Sequence, residues 1–269
     1  MYRILIAVKE AQAFAEMNES INWQSLNFHQ PAIVSTAEEA INMMESKRVD
    51  CIAYVLDKYE AHQLNKYLTK VRPSMPIFQI KRNLDSQIAV LKDMLRYLDR
   101  LHSDMTDEVY DENVILDMLR DELGHNLLAG EIRSEQMLRG RLQMLRSYVA
   151  PDKKCVMYDF DMPQGEVYLM NQWHYGSERL ENALRNNFFG RYYDDIYYWV
   201  AVLTPRHIRV LACQRMEGED EAEESLIART NQHIEQSLDN IKEYLGLDLI
   251  PAQVHILDNL SVLTQEAVS

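Results

Sequence analysis

The first ten residues of the chain, MYRILIAVKE (1–10), decide the fold of its first half. Ile4–Val8 is an unbroken apolar run, which is typical of a strand buried on both faces of a parallel sheet. In such sheets the residues just beyond the carboxyl end of a strand usually carry the chemistry. Here those residues are Val8, Lys9 and Glu10. The corresponding edge of the sheet therefore starts with an aliphatic side chain and an ammonium group.

Strands and helices alternate through residues 1–82. The apolar patterns predict further strands at 31–34, 51–56 and 76–80, and helices at 11–21, 37–47 and 61–71. Thr36 and Glu39 have the spacing of a capping box, which marks the start of the second helix. This alternation predicts an α/β domain with right-handed crossovers and a parallel sheet.

A heptad pattern of apolar residues follows in a helical region that we assign to residues 83–150. The heptad positions are Leu84, Ile88, Leu91, Leu95 and Leu98. This spacing predicts either the dimer seam of a coiled coil or a helix packed on the sheet of its own domain, and the sequence leaves both open. Residues 103–113 break the pattern as a linker, and two helices are expected between 114 and 146.

A second α/β block is predicted over residues 151–269. The patterns indicate strands at 154–160, 197–203, 208–213 and 252–257, and helices at 178–187 and 226–245. The short connection Thr204-Pro-Arg-His207 predicts a hairpin between the two central strands. The aromatic stretch 188–200 is interpreted as core and interface rather than as a surface for stacking nucleic-acid bases.

Composition limits the classes of partner. The formal net charge of −14 repels nucleic-acid phosphates and anionic membranes, so these residues are not expected to bind DNA themselves. The apolar runs are too short to span a membrane, and no secretory signal is recognised, which favours a cytoplasmic protein without membrane association. The three cysteines lie in strand-like runs without metal-ligand spacing, so we expect buried thiols, no metal and no cofactor.

Residues 1–80 resemble the receiver domain of bacterial two-component response regulators, in particular the YesN-like subgroup whose members end in an AraC-type DNA-binding domain. The resemblance lies in INWQSLNFHQPAIVSTAEEAINMMESKRVDCIAYVL (21–56), where Trp23, Leu26 and Phe28 lead into the second strand. It implies a flavodoxin-like parallel sheet with a phosphorylation site at the carboxyl edge.

The positions that carry the chemistry of a working receiver are all changed in this chain. By the resemblance, the acidic pair that holds Mg²⁺ falls on Val8 and Lys9, the phosphoryl acceptor on Val55, and the hydroxyl position on Lys81. If the third strand were two residues longer, Asp57 would end it and become an acceptor. The alternative is that Asp57 pairs with a neighbouring cation or faces water.

The second block is similar to a degenerate GGDEF-like, nucleotide-cyclase-type domain. Asp159 and Asp161 resemble the metal-binding Asp-x-Asp of that fold, but the hairpin between the central strands lacks the expected glycines and carboxylates. Two uses are open for these aspartates: strand-end residues capped by local amides, or part of a groove for a small-molecule or nucleotide effector together with Trp173.

These patterns lead to one functional expectation. The chain is expected to be the non-enzymatic, phosphorylation-independent regulatory region of a transcriptional response regulator, which signals as a homodimer. Its AraC-type DNA-binding output is not present in this sequence. The alternative is a sensor that binds a small molecule or a nucleotide through the second block.

Overall fold

A computed structural model describes residues 1–105, 112–217 and 221–268 of the chain. The chain divides into two compact units, which we call unit 1 (Met1–Leu119 and Gly140–Ser147) and unit 2 (Arg120–Arg139 and Tyr148–Ser269). The helical region predicted over 83–150 therefore contributes residues to both units. Most of the linker predicted at 103–113 lies outside the described residues.

Unit 1 contains a four-stranded sheet with the order β2-β1-β3-β4, in which all neighbouring strands are parallel. Its strands are β1 (Ile4–Val8), β2 (Ala32–Val34), β3 (Cys51–Val55) and β4 (Ile77–Phe78). Its helices are α1 (Ala11–Ser20), α2 (Ala37–Ser46), α3 (Lys58–Val71) and α4 (Leu84–Met105). The predicted parallel α/β arrangement is confirmed.

Helices cover both faces of this sheet. Ile4 and Ile6 of β1 lie in one buried cluster with residues of α1 and α4, whereas Leu5 and Ala7 lie in a second cluster with residues of α2 and α3. An apolar run without alternation is therefore required, as predicted. The start of α2 is also as predicted, because the amide of Glu39 donates to Thr36 Oγ1 at 3.2 Å.

The heptad helix α4 packs on its own sheet. Leu91 is 0% exposed and Leu98 1% exposed, and both belong to the same cluster as Ile4 and Ile6. Leu84 and Leu95 are partly buried against that cluster. Leu91 and Leu98 are therefore not available to a partner helix, which corrects the dimer-seam alternative. The physical reason is that a long helix covering a sheet needs the same apolar stripe as a coiled coil.

Unit 2 contains a five-stranded antiparallel sheet with the order β6-β7-β8-β5-β9. Its strands are β5 (Cys155–Asp161), β6 (Tyr192–Tyr193), β7 (Ile196–Thr204), β8 (His207–Gln214) and β9 (Ile250–Leu257). The remaining helices of the chain are α5 (Glu112–Leu128), α6 (Glu135–Met144), α7 (Gly165–Tyr168), α8 (Ser177–Ala183), α9 (Glu223–Leu245) and α10 (Gln265–Val268). The predicted strands and the hairpin at 204–207 are confirmed, whereas α7 and β6 were not predicted.

The two faces of the antiparallel sheet have different surroundings. Val156, Tyr158 and Phe160 of β5 lie in a cluster with residues of α8 and α9. Because successive side chains of a strand alternate, Asp159 and Asp161 project from the opposite face. On β7, Tyr198, Val200 and Val202 belong to the same cluster, and the segment Ile196–Val202 is buried throughout, as expected for core.

Two further expectations concern residue chemistry and the membrane. All three cysteines are buried and free, as predicted from their apolar surroundings. Among the described helices, none combines the length and the apolar character needed to cross a bilayer.

Candidate functional site

The carboxyl edge of the parallel sheet holds an ion pair. Val8 of β1 and Val55 of β3 are opposite each other in register, and the amide of Lys9 donates to the carbonyl of Val55 at 3.3 Å. The residues that follow these two strands therefore meet, and Lys9 Nζ lies 2.7 Å from Asp57 Oδ2. An ammonium group thus contacts the one carboxylate at this edge that we considered as a phosphoryl acceptor.

Asp57 is also the N-cap of α3. Its Oδ1 accepts a hydrogen bond from the amide of Glu60 at 3.0 Å, while Oδ2 accepts from Lys9. β3 ends at Val55, so the longer strand that would have made Asp57 a strand-end residue does not form. The alternative in which Asp57 pairs with a neighbouring cation is the one in the structure.

Both members of the pair are held in their charged forms. The hydrogen bond from Lys9, followed by the bond from the Glu60 amide, lowers the pKa of Asp57. The hydrogen bond to Asp57 and its negative charge raise the pKa of Lys9. The side chains are 64% and 44% exposed, so the pair contributes little to stability. Its effect is on what can bind at this edge.

The other residues assigned to the receiver pocket do not join the pair. Val8 is buried in the core, and the Val55 side chain is exposed. Lys81 Nζ donates to Gln79 Oε1 at 2.5 Å, and the Lys81 amide accepts a partner in Gln87 Oε1 at 2.6 Å. Burial lowers the pKa of Lys81. Of the four assigned positions, only Lys9 contacts a carboxylate at the sheet edge within the described residues.

In unit 2, Asp159 is neutralised in a similar way. It is 5% exposed, and Arg209, its cross-strand neighbour on β8, donates from Nε to Asp159 Oδ1 at 2.8 Å. His207 Nε2 lies 2.9 Å from the same oxygen, and His255 Nε2 lies 3.7 Å from Oδ2. A divalent cation would have to displace the guanidinium to reach this carboxylate. The expectation that the aspartates are capped by local amides is wrong for Asp159, since side-chain cations bind it.

The predicted ligand groove is not assembled. Asp159 and Asp161 share one face of the sheet, and the Asp161 side chain is mostly exposed. Trp173 packs against the cluster on the other face and donates from Nε1 to the carbonyl of Gly176 at 3.1 Å. The structure therefore separates Trp173 from the two aspartates.

A buried charge network in unit 2 was missed by sequence reasoning. Arg185 is 2% exposed and lies between two carboxylates, with Nη1 2.7 Å from Asp121 Oδ2 and Nη2 2.8 Å from Glu181 Oε1. Glu181 Oε2 accepts from the amide of Val202 at 3.0 Å and lies 2.8 Å from His125 Nδ1. Charges buried in this way require such partners. The spacing of four residues between Glu181 and Arg185 on a predicted helix was the available signal.

The network also changes the protonation of a histidine. The hydrogen bond to Glu181 raises the pKa of His125 from its ordinary value. The arrangement links α5, α8 and β7 and has no nucleophile beside a base, so we assign it to the stability of unit 2.

Comparisons with known proteins add no family assignment. No protein-family model matches the chain, and a search of curated proteins finds no significant match. In the described ranges, no group of three or more His, Cys, Asp or Glu residues is arranged to hold a metal ion.

Proposed function

We propose that the chain is the regulatory region of a transcriptional response regulator that works without phosphorylation. The observation that carries this proposal is the Lys9–Asp57 ion pair at the carboxyl edge of the parallel sheet. A receiver requires carboxylates that bind Mg²⁺ and a free carboxylate that accepts the phosphoryl group. Here an ammonium group lies where the cation is needed, and both oxygens of Asp57 already accept hydrogen bonds.

The topology of unit 1 supports the receiver assignment. Its strand order, β2-β1-β3-β4, agrees with the first four positions of the flavodoxin-like order 2-1-3-4-5. Unit 2 adds support for a region without catalysis. Its elements β5, α8, β7, β8, α9 and β9 follow the order βαββαβ, and the carboxylate of Asp159 is bound by Arg209.

The proposed signal passes through a homodimer to an AraC-type DNA-binding output. Leu91 and Leu98 are buried in unit 1, so the dimer contact has to use other residues. The acidic charge of −14 is consistent with a region that leaves DNA binding to another domain. The coding sequence beyond Ser269 tests this part directly. An in-frame helix-turn-helix domain supports the output, and a stop codon at that point overturns it.

The absence of phosphorylation is tested with acetyl phosphate, Mg²⁺ and intact-mass spectrometry. We expect no phosphoryl adduct on the wild-type chain and no change of melting temperature with Mg²⁺. An adduct that is lost in Asp57→Asn would overturn the proposal.

A pair of variants tests the reason for this absence. Val8→Asp with Lys9→Asp supplies the missing acidic pair and removes the cation, so Mg²⁺ should raise the melting temperature by mass action. Lys9→Met is the matched control, because it removes the cation without adding carboxylates, and it should show no response. If the doubly acidic variant ignores Mg²⁺, this edge is not a modified metal site and the receiver assignment is wrong.

A further inference from the structure

A cleft of about 400 Å³ lies at the amino edge of the parallel sheet, opposite the edge that holds the Lys9–Asp57 pair. Parallel strands that are neighbours begin at one edge, so the segments that enter β1, β2 and β3 come together there. The carboxyl end of α2 completes the cleft. Ligand pockets in proteins commonly have volumes of about 300 to 1,000 Å³, so this cleft is large enough for a metabolite-sized molecule.

The walls of the cleft are apolar. They are formed by Ile4, Ala32, Met43 and Val49, of which Ile4 is buried and the other three are half-buried. Such walls can bury the apolar body of a ligand, which is favourable in proportion to the area removed from water.

The rim of the cleft is cationic. Arg3, Lys47 and Arg48 line it together with His29. Arg48 Nε is paired with Asp50 Oδ1 at 2.8 Å, and Asp50 Oδ2 accepts from the amide of Arg3 at 2.7 Å. One carboxylate therefore faces three cationic side chains, which leaves an excess of positive charge in a strongly acidic chain.

Two of these cations are free to bind a ligand. Over the described part of the chain, no carboxylate pairs with the guanidinium of Arg3 or the ammonium of Lys47. Lys47 is the C-cap of α2, where the partial negative charge of the helix end favours a cation. Asp50, by contrast, has both oxygens in use and its side chain is only 6% exposed, so it does not compete for these cations.

We propose that this cleft binds a small organic anion in which a carboxylate or phosphate group is joined to an apolar body. The anionic group contacts Arg3 and Lys47, and the apolar body lies on Met43 and Val49. The net negative charge of the chain repels anions at long range, so binding depends on these local contacts rather than on electrostatic steering. The site belongs to unit 1 and uses none of the residues of the receiver-like edge.

The test uses phenyl phosphate as the probe, titrated into the ¹⁵N-labelled chain and followed by amide chemical shifts. We expect saturable shifts at residues 3, 29–32 and 47–50. Inorganic phosphate, which lacks the apolar body, and benzyl alcohol, which lacks the charge, should each bind at least tenfold more weakly. Saturable shifts confined to other regions, or equal binding of benzyl alcohol, would overturn the proposal.

The variants Arg3→Met and Lys47→Met, combined in one chain, remove the free cations and keep the aliphatic stems. Phenyl phosphate should bind this chain at least tenfold more weakly. Lys66→Met, on α3 and outside the cleft, is the matched control and should bind like the wild type. If the double variant binds phenyl phosphate as tightly as the control does, the cationic rim is not the recognition element and the inference is wrong.

Discussion

Replacement of Leu98 by alanine should destabilise unit 1 without changing the oligomeric state. Leu98 is 1% exposed and lies in the cluster that joins α4 to β1 and β3. Truncation of a fully buried leucine costs about 3 kcal/mol of unfolding free energy, within a usual range of about 2 to 5 kcal/mol. With a urea dependence of about 1.5 kcal/mol per molar, the unfolding midpoint should fall by about 2 M.

The matched control is Ile88→Ala, which removes a half-buried heptad residue outside that cluster. Its expected cost is about 1 kcal/mol, because part of the side chain is already in contact with water. Under the coiled-coil alternative, Ile88 and Leu98 belong to the same seam, and both changes would weaken a dimer. The two alternatives therefore predict different ratios between the variants.

The assay combines two measurements on each variant. Hydrogen exchange of peptides from β1 and β3 along a urea titration reports the stability of unit 1 separately from that of unit 2. Light scattering after size exclusion reports the mass. A lower mass for Leu98→Ala at an unchanged urea midpoint would refute the assignment of α4 to the core of unit 1.

Three further outcomes concern unit 2 and α6. Gly124→Ala should destabilise unit 2 by about 1 to 3 kcal/mol in urea unfolding, since a Cβ there would lie 2.4 Å from the buried ring of Trp199. Gly140→Ala, with nothing within 4 Å, should instead stabilise by about 0.5 to 1 kcal/mol, and the opposite order would contradict the packing. Arg185→Met should cost about 3 to 5 kcal/mol in thermal unfolding, because it leaves two carboxylates buried without their cation, and a neutral effect would show that water reaches them. His125 has a raised pKa, so its stabilising contribution should be complete below its unfolded pKa of about 6.5 and be lost as the pH rises through the folded value. The difference in melting temperature between wild type and His125→Gln should therefore be largest near pH 6 and shrink toward pH 9, and a constant difference would contradict the ion pair.

Local sequence signals predicted much of the secondary structure. The strand β1 has the predicted bounds, and α2 begins where Thr36 and Glu39 predicted its cap. The elements that were missed have weak local signals: β6 is two residues long, and α7 is a four-residue helix that runs into a π-helical segment. Short elements of this kind are stabilised by their surroundings rather than by periodic apolar residues.

The candidate site was only partly predictable. The change of the metal-binding positions to Val8 and Lys9 was visible in the sequence once the strands were assigned. The partner of Asp57 was not, since Lys9 lies 48 residues away along the chain and several cations were equally available. The binding of Asp159 by Arg209 follows from the pairing of β5 with β8, which the strand patterns do not specify.

The sequence by itself determined which segments form strands and helices and which chemical groups follow each strand, because these properties depend on neighbouring residues. Only the tertiary structure decided what each group faces. A heptad stripe is buried equally well by a partner helix or by a sheet, and α4 lies on its own sheet. Likewise, a carboxylate after a strand can bind a metal or a cation of the chain, and the parallel register of β1 and β3 brings the ammonium group of Lys9 to Asp57.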